Sequence, residues 1–268
     1  MCLPYKGNLL NREYEYYLKA RCDELPRGMS TRNEIVKFFQ QDAFFKVEKE
    51  IWRTDLEKRR YLVANRAEYL KKPPTELTAN DMLCGFKRSG VYYGFSHFNP
   101  LWFRWFIGKY GVKTCYDPTG GWGHMLLGGL CLEKYIYNDL SRTTKSNVDE
   151  IIRHFRIKNA VTYCEDARTF SPPDEFDSMF TCIPYWNLEK YECGGFKSRK
   201  EFQGFVDSLF SLFKSKVGCM TFGLVAREDL LDGHDRWTER FELNSQGKTQ
   251  YLAGSKRKLR EFMYVFKK

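Results

Sequence analysis

At 268 residues and 31.9 kDa the chain is long enough to bury a sizeable core, which excludes a small disulfide-stapled scaffold and suits one catalytic domain with a modest appendage. Hydrophobic residues make up 43% and charged residues 29%, with 9 prolines and 20 glycines, so disorder and fibrous repeats are excluded as well. The 44 Lys+Arg against 34 Asp+Glu leave a net charge of +10, which favours an anionic partner, nucleic acid first.

The opening, Met1 to Arg21, has no apolar core of signal-peptide length, and no stretch reaches the roughly 18 apolar residues of a membrane span. The 9 cysteines include no CxxC pair, so neither a disulfide framework nor a zinc site is expected, and the thiols read as reduced in a cytoplasmic protein. Residues 12–21, 31–49 and 55–71 mix aromatics with charges at helical spacing. Thr31 and Glu34 have the spacing of a capping box ahead of Ile35 and Val36, and Pro73-Pro74 stops the third helix. Residues 1–90 therefore read as a basic helical appendage that can contact DNA. They carry half of the net charge on a third of the chain.

From about residue 101 short apolar runs alternate with turns and helical stretches. Strands are expected at 113–116, 134–137, 160–163, 178–181 and 218–225, with helices near 123–132, 143–156 and 199–214. That alternation gives an α/β doubly wound parallel sheet. Residues 240–244 and 261–267 form a strand pair with no helix between them, which adds an antiparallel edge.

The ends of these strands carry the chemistry. The first closes on Asp117-Pro118-Thr119-Gly120-Gly121-Trp122-Gly123, an acid followed by a glycine-rich turn over which a ligand can approach the backbone. The turn lacks the GxxxxGK[ST] of a phosphate loop, which disfavours phosphoryl transfer. Asp139 closes the second strand, where a carboxylate accepts from ribose hydroxyls. Asp166 closes the third, within reach of an adenine amino group. The fourth ends in Cys182-Ile183-Pro184-Tyr185.

With that last segment the sequence resembles the amino-directed DNA methyltransferases, which modify adenine N6 or cytosine N4 using S-adenosylmethionine. In that family the fourth strand ends in Asp, Asn or Ser followed by Pro-Pro and an aromatic residue, the places held here by Cys182, Ile183, Pro184 and Tyr185. The resemblance extends to the Asp-Pro-x-x-Gly-Trp-Gly turn, to Asn187-Leu188-Glu189-Lys190-Tyr191, to the closing run from Glu261, and to the segment from Tyr93 to Pro100, and covers residues 91–268. It implies a class I S-adenosylmethionine-dependent, Rossmann-like methyltransferase fold with an antiparallel edge, joined to the helical appendage. It also implies that Ser96 and Phe98 close over the methionine end of the cofactor, that Asp117, Pro118, Gly120, Gly121, Trp122 and Gly123 hold its amino-acid portion, and that Asp139 and Asp166 hold ribose and adenine. The 182–185 loop would receive a flipped-out base, with Tyr185 stacking on it and the Ile183 carbonyl accepting from its amine.

Lys197, Arg199 and Lys200 follow two glycines just beyond this loop and are placed to touch phosphates of DNA, with RNA also compatible. The four histidines have no ligand spacing, and no metal is expected. A thiol is a weaker acceptor than Asp, Asn or Ser. Cys182 therefore leaves two alternatives open: a nucleobase transferase of the kind used in viral or phage DNA hypermodification, and a nucleic-acid-binding homologue without catalysis.

Overall fold

The computed structural model describes residues 7–24, 26, 34–40, 68, 71, 73, 98–184, 195–227, 230–231, 236–243, 250–251, 258–259 and 261–268. The chain divides into two compact units, residues 1–39 with 97–268, and residues 40–96. Of the second unit only isolated residues are described; the 31–49 stretch beyond Gln40 and, save Glu68 and Lys71, the 55–71 stretch lie outside the described residues, as does Thr31 of the expected capping box.

The first unit begins with α1 (Gly7–Lys19) and α2 (Glu34–Phe39). Residues 7–39, read from the sequence with the appendage, group with the sheet because their contacts are buried. The Ile35 amide donates to Glu13 Oε2 at 3.1 Å, the buried Arg104 guanidinium donates to the Tyr17 carbonyl at 2.9 Å, and Tyr14 stacks on Phe155 with ring centroids 4.4 Å apart. Next comes α3 (Pro100–Tyr110), capped by Asn99, whose side chain accepts from the Leu101 amide, and started by a proline whose missing N–H costs nothing there.

Then follow β1 (Thr114–Asp117), α4 (His124–Gly128), β2 (Lys134–Asn138), α5 (Arg142–Phe155), β3 (Ala160–Tyr163), β4 (Ser178–Cys182), α6 (Arg199–Ser215) and β5 (Thr221–Arg227). Ser141 and Ser198 cap α5 and α6 by accepting from the Thr144 and Glu201 amides. The chain ends with β6 (Glu239–Glu242), β7 (Gln250–Tyr251), β8 (Lys258–Leu259) and β9 (Glu261–Lys267).

Seven strands form one sheet in the order β3-β2-β1-β4-β5-β9-β6, and β7 and β8 pair separately. The first five are parallel, and β9 runs against both β5 and β6. Side chains alternate across this sheet. Cys115, Tyr135, Tyr137, Phe180, Val225 and Met263 face one core with α3 and α5, whereas Tyr116, Ile136, Met179, Leu224 and Tyr264 face the other with α6. Both faces are covered, as parallel strands require.

Two boundaries depart from the sequence pattern for local reasons. The helix expected over 123–132 stops at Gly128 and tightens into a 3-10 turn over Gly129–Cys131, closed by the Leu132 amide on the Gly129 carbonyl at 3.0 Å. The strand expected at 218–225 starts at Thr221, because the Cys219 amide closes a turn on the Lys216 carbonyl. Among the described residues no helix is long and apolar enough to cross a membrane.

Candidate active site

The glycine turn after β1 is shaped mainly by β2. The Gly120 amide donates to the Asn138 carbonyl at 2.8 Å, the Gly121 amide to Asp139 Oδ2 at 3.0 Å, and the Tyr137 hydroxyl to the Gly121 carbonyl at 2.7 Å. Gly121 and Gly123 adopt φ of 54° and 92°, which L side chains rarely tolerate. A Cβ at Gly120 would fall inside the Tyr137 ring, whereas one at Gly121 would meet only the Thr119 carbonyl, at 4.0 Å. The turn is thus packed below and open above, the cradle a ligand needs.

Separate effects are expected from the two alanine substitutions. Gly120→Ala should cost about 2 kcal/mol in thermal unfolding, because the Tyr137 ring is pinned and cannot yield. Gly121→Ala should cost about 1 kcal/mol for the left-handed backbone, with its main effect on ligand affinity. Calorimetric melting of both variants, with titration of S-adenosylmethionine, checks the split.

Asn138 is fully buried and ties three strand ends together. Its Nδ2 donates to the Pro118 carbonyl at 3.1 Å and the Glu165 carbonyl at 2.9 Å, and its Oδ1 accepts from the Glu165 amide at 2.9 Å. Sequence reasoning gave this residue no role. The signal available was a second polar residue before Asp139 at the end of an otherwise apolar strand.

Asp117 is fully buried in a cage of donors. Tyr135 Oη donates to Oδ2 at 2.7 Å, and Thr181 Oγ1 and the Thr119 amide donate to Oδ1 at 2.8 and 3.3 Å. Burial pushes its carboxyl up to about 7, against these hydrogen bonds, which pull the other way. The same hydroxyls reach the β4 loop. Thr119 Oγ1 lies 2.6 Å from Thr181 Oγ1 and 3.2 Å from the Cys182 carbonyl. Tyr135, Thr119 and Thr181 were not singled out in the sequence, where they read as core or turn residues.

Asp139 uses one oxygen for Gly121 and the other for the Ser141 amide at 2.8 Å, and burial raises its carboxyl above the ordinary value. Leu140, beside it, is exposed. Asp166 is gripped by Arg168, whose Nε and Nη2 sit 2.9 and 2.6 Å from its two oxygens, and this pair holds the carboxyl below its ordinary value. Arg168 Nη1 also lies 3.5 Å from Glu201, which joins the end of β3 to the start of α6. Lys197, Arg199 and Lys200 are exposed at that start.

Among the described residues, then, the structure brings Asp117, Pro118, Gly120, Gly121, Asp139 and Cys182 into one hydrogen-bonded network. Trp122 and Phe98 are half-buried and packed on the core, Phe98 with its ring 5.9 Å from Phe180. Ile183 is buried and its amide donates to the Val225 carbonyl at 3.2 Å, while Pro184 is half-buried. Ser96 and Tyr185 lie outside the described residues. Also among the described residues, no group of three or more His, Cys, Asp or Glu side chains is placed to hold a metal ion.

The strand order reverses between β1 and β4, and a sheet of five parallel strands closes with an antiparallel β9 inserted beside β5. The fold is the Rossmann-like α/β sheet with an antiparallel edge that the sequence pattern leads one to expect. No protein-family model matches the chain, and no curated protein matches it in sequence. Similar solved structures include TrmN from Thermus thermophilus, at 14% identity over 70% of this chain and 53% of that one, with a TM-score of 0.47. The N-methyltransferase NodS from Bradyrhizobium japonicum WM9 matches at 12% identity over 58% of this chain and 85% of that one, with a TM-score of 0.40. An rRNA methylase from Streptococcus thermophilus matches at 8% identity over 58% and 86%, with a TM-score of 0.37. In an open α/β sheet the crevice at the point where the strand order reverses is the expected ligand site, and the network of Asp117, Thr119, Thr181 and Cys182 lies at the β1/β4 reversal.

Proposed function

We propose that the chain is an S-adenosylmethionine-dependent DNA methyltransferase that modifies an exocyclic amine, adenine N6 or cytosine N4, of a flipped-out base. The observation that carries this reading is the tie between the glycine turn and the 182–184 loop through Thr119, Thr181 and the Cys182 carbonyl. A donor held over the turn and a base held against the loop would then be neighbours.

The residues present fit the cofactor. The open face above Gly121, the two left-handed glycines and the carboxylate of Asp139 offer backbone approach and a polar anchor, and the exposed Leu140 offers an apolar surface beside it. When bound, S-adenosylmethionine supplies a methyl group on a positive sulfur. The chain's own work is to orient and to exclude water. Gly120 lets the turn settle on the Tyr137 ring, Gly121 keeps a side chain out of the donor's path, and Asp139 fixes the turn through the Gly121 amide. The 182–184 loop binds the amine hydrogens, the Ile183 carbonyl and the Cys182 thiol being its acceptors, and so draws the amine lone pair out of conjugation with the ring. Lys197, Arg199 and Lys200 are exposed at the start of α6, where their charges would meet phosphates.

The thiol at position 182 favours one further reading, a transferase on the same fold that handles a different base or donor, because a thiol accepts hydrogen bonds weakly. Nucleoside mass spectrometry on duplex and single-stranded DNA and on RNA, each incubated with the protein and S-adenosylmethionine, tests the proposal. Methylated deoxyadenosine or deoxycytidine is the expected product. A methylated ribonucleoside alone moves the substrate to RNA, and cofactor binding without any new nucleoside moves the chemistry to the second reading. Absence of S-adenosylmethionine binding by calorimetry refutes the first reading and leaves a transferase with another donor or a non-catalytic binder.

A further inference from the structure

We infer that Thr181 and Thr119 are positioning residues whose hydroxyls form a relay. The proton on Asp117 sets its direction, and the direction decides whether the Thr119 hydroxyl is available to the Cys182 carbonyl. The consequence for catalysis rests on the proposed function; the relay itself does not.

Four oxygens lie in a chain: Asp117 Oδ1, Thr181 Oγ1 at 2.8 Å, Thr119 Oγ1 at 2.6 Å from that, and the Cys182 carbonyl at 3.2 Å. Each threonine hydroxyl has one proton to donate. When Asp117 is ionised, Thr181 must donate to it, Thr119 then donates to Thr181, and nothing from the relay is left for Cys182. When Asp117 is protonated it becomes a donor to Thr181, Thr181 donates to Thr119, and the Thr119 hydroxyl turns to the Cys182 carbonyl. No proton moves along the chain; both hydroxyls rotate.

The relay takes this second direction when the proton sits on Oδ1, the oxygen that faces Thr181. Tyr135 Oη donates to Oδ2, and the Thr119 amide donates to Oδ1 from outside the relay, leaving Oδ1 facing Thr181. The remaining titratable groups that face Asp117 are Cys115 and Tyr116 on its own strand, Tyr137 on β2, and Asp139 at the end of β2, whose charge favours the protonated form. No cation shares the cage among these groups, and burial brings the carboxyl up to about 7. The direction of the relay therefore changes within the neutral range. Cys182 stands at the head of the proposed base-binding loop, so a change in the bonding of its carbonyl alters the first peptide of that loop.

Cys182-Ile183 is the sole Cys-Ile step in the sequence. Labelling the whole protein with carbonyl-13C cysteine and 15N isoleucine thus gives one correlation, from the Cys182 carbonyl through the Ile183 amide. In the wild type this carbonyl resonance is expected to move downfield as the pH is lowered through about 7, as a carbonyl does on gaining a donor. Thr119→Ser, which keeps the hydroxyl, should retain the movement, and Thr119→Val should abolish it; Asp117→Asn should leave the resonance fixed. Thr181→Ala, which removes the middle hydroxyl, is a second variant with the same expectation as Thr119→Val. A wild-type resonance that does not move between about pH 5.5 and about pH 8.5 overturns the relay, as does a movement undiminished in Thr119→Val or Thr181→Ala. None of these signals needs methyl transfer, so a failed relay and a failed functional reading are told apart. If both stand, the inflection near neutral pH in the wild-type kcat profile is lost in Thr119→Val and kept in Thr119→Ser.

Discussion

Asn138→Ala is expected to destabilise the protein by roughly 4 kcal/mol, read as the midpoint and slope of urea unfolding, and to weaken S-adenosylmethionine binding at least about tenfold in the folded fraction. The side chain is fully buried and satisfies three backbone groups on two loops, the Pro118 carbonyl and both polar groups of Glu165. Alanine fills none of those roles, and a buried carbonyl or amide left without a partner costs about 1–3 kcal/mol. The hydrogen bond from the Gly120 amide to the Asn138 carbonyl belongs to the backbone and survives, so the turn loosens rather than inverts. Asn138→Asp is the sharper control. It keeps an acceptor for the Glu165 amide, loses both donations, and adds a carboxyl one residue from Asp139 and close to buried Asp117. Its cost should therefore exceed that of alanine above neutral pH and shrink in mild acid. A loss below about 1 kcal/mol for Asn138→Ala would falsify the view that this side chain holds the three strand ends together.

Much of the sheet was legible because strand periodicity survives in a chain whose two faces are both apolar. The expected strands at 134–137, 160–163 and 261–267 coincide with β2, β3 and β9 to within a residue. The acids at the ends of β1 and β2 were legible for the same reason, since a polar residue that ends an apolar run marks where the chain leaves the core. What those acids touch was not legible. Tyr135 and Tyr137 alternate with Ile136 and read as core aromatics, yet their hydroxyls reach Asp117 and the Gly121 carbonyl. That depends on the β1–β2 register, in which Asp117 lies level with Tyr137, and register is a long-range property. Thr181 lies on another strand and meets Asp117 only because β4 pairs with β1. Asp166 shows the same limit at short range. Its partner Arg168 is only two residues away, but a local ion pair and an open ligand acceptor look identical in sequence. The grouping of α1 and α2 with the sheet had no periodic signal either, resting on contacts such as Tyr14 with Phe155.

Stability should fall as the pH rises from about 5 to about 8, and Asp117→Asn should remove most of that slope. A buried carboxyl whose folded value is raised to about 7 from the ordinary 3.8 binds more protons in the folded state than in the unfolded one between those two values. Its favourable contribution is complete below the unfolded value and is lost as the pH passes through the folded one. For a shift of this size the loss is on the order of 4 kcal/mol, at about 1.4 kcal/mol per pKa unit. Asp139, raised by burial, acts in the same direction. Asp166, Asp174 and Glu239 act in the opposite direction, being held below their ordinary values by hydrogen bonds from Arg168, Tyr163 and Lys267. Their contributions are present above the ordinary carboxylate range and are lost only in stronger acid, so they do not mask the slope near neutrality. Asparagine cannot ionise, and Tyr135 and Thr181 can turn their hydroxyls to suit its amide. Relative to the wild type, Asp117→Asn should therefore be the weaker protein at about pH 5 and gain by a few kcal/mol by about pH 8. Urea unfolding of both proteins across this range decides the matter, and a wild-type stability that stays level or climbs through neutrality would mean that the Asp117 cage stabilises the carboxylate rather than the acid.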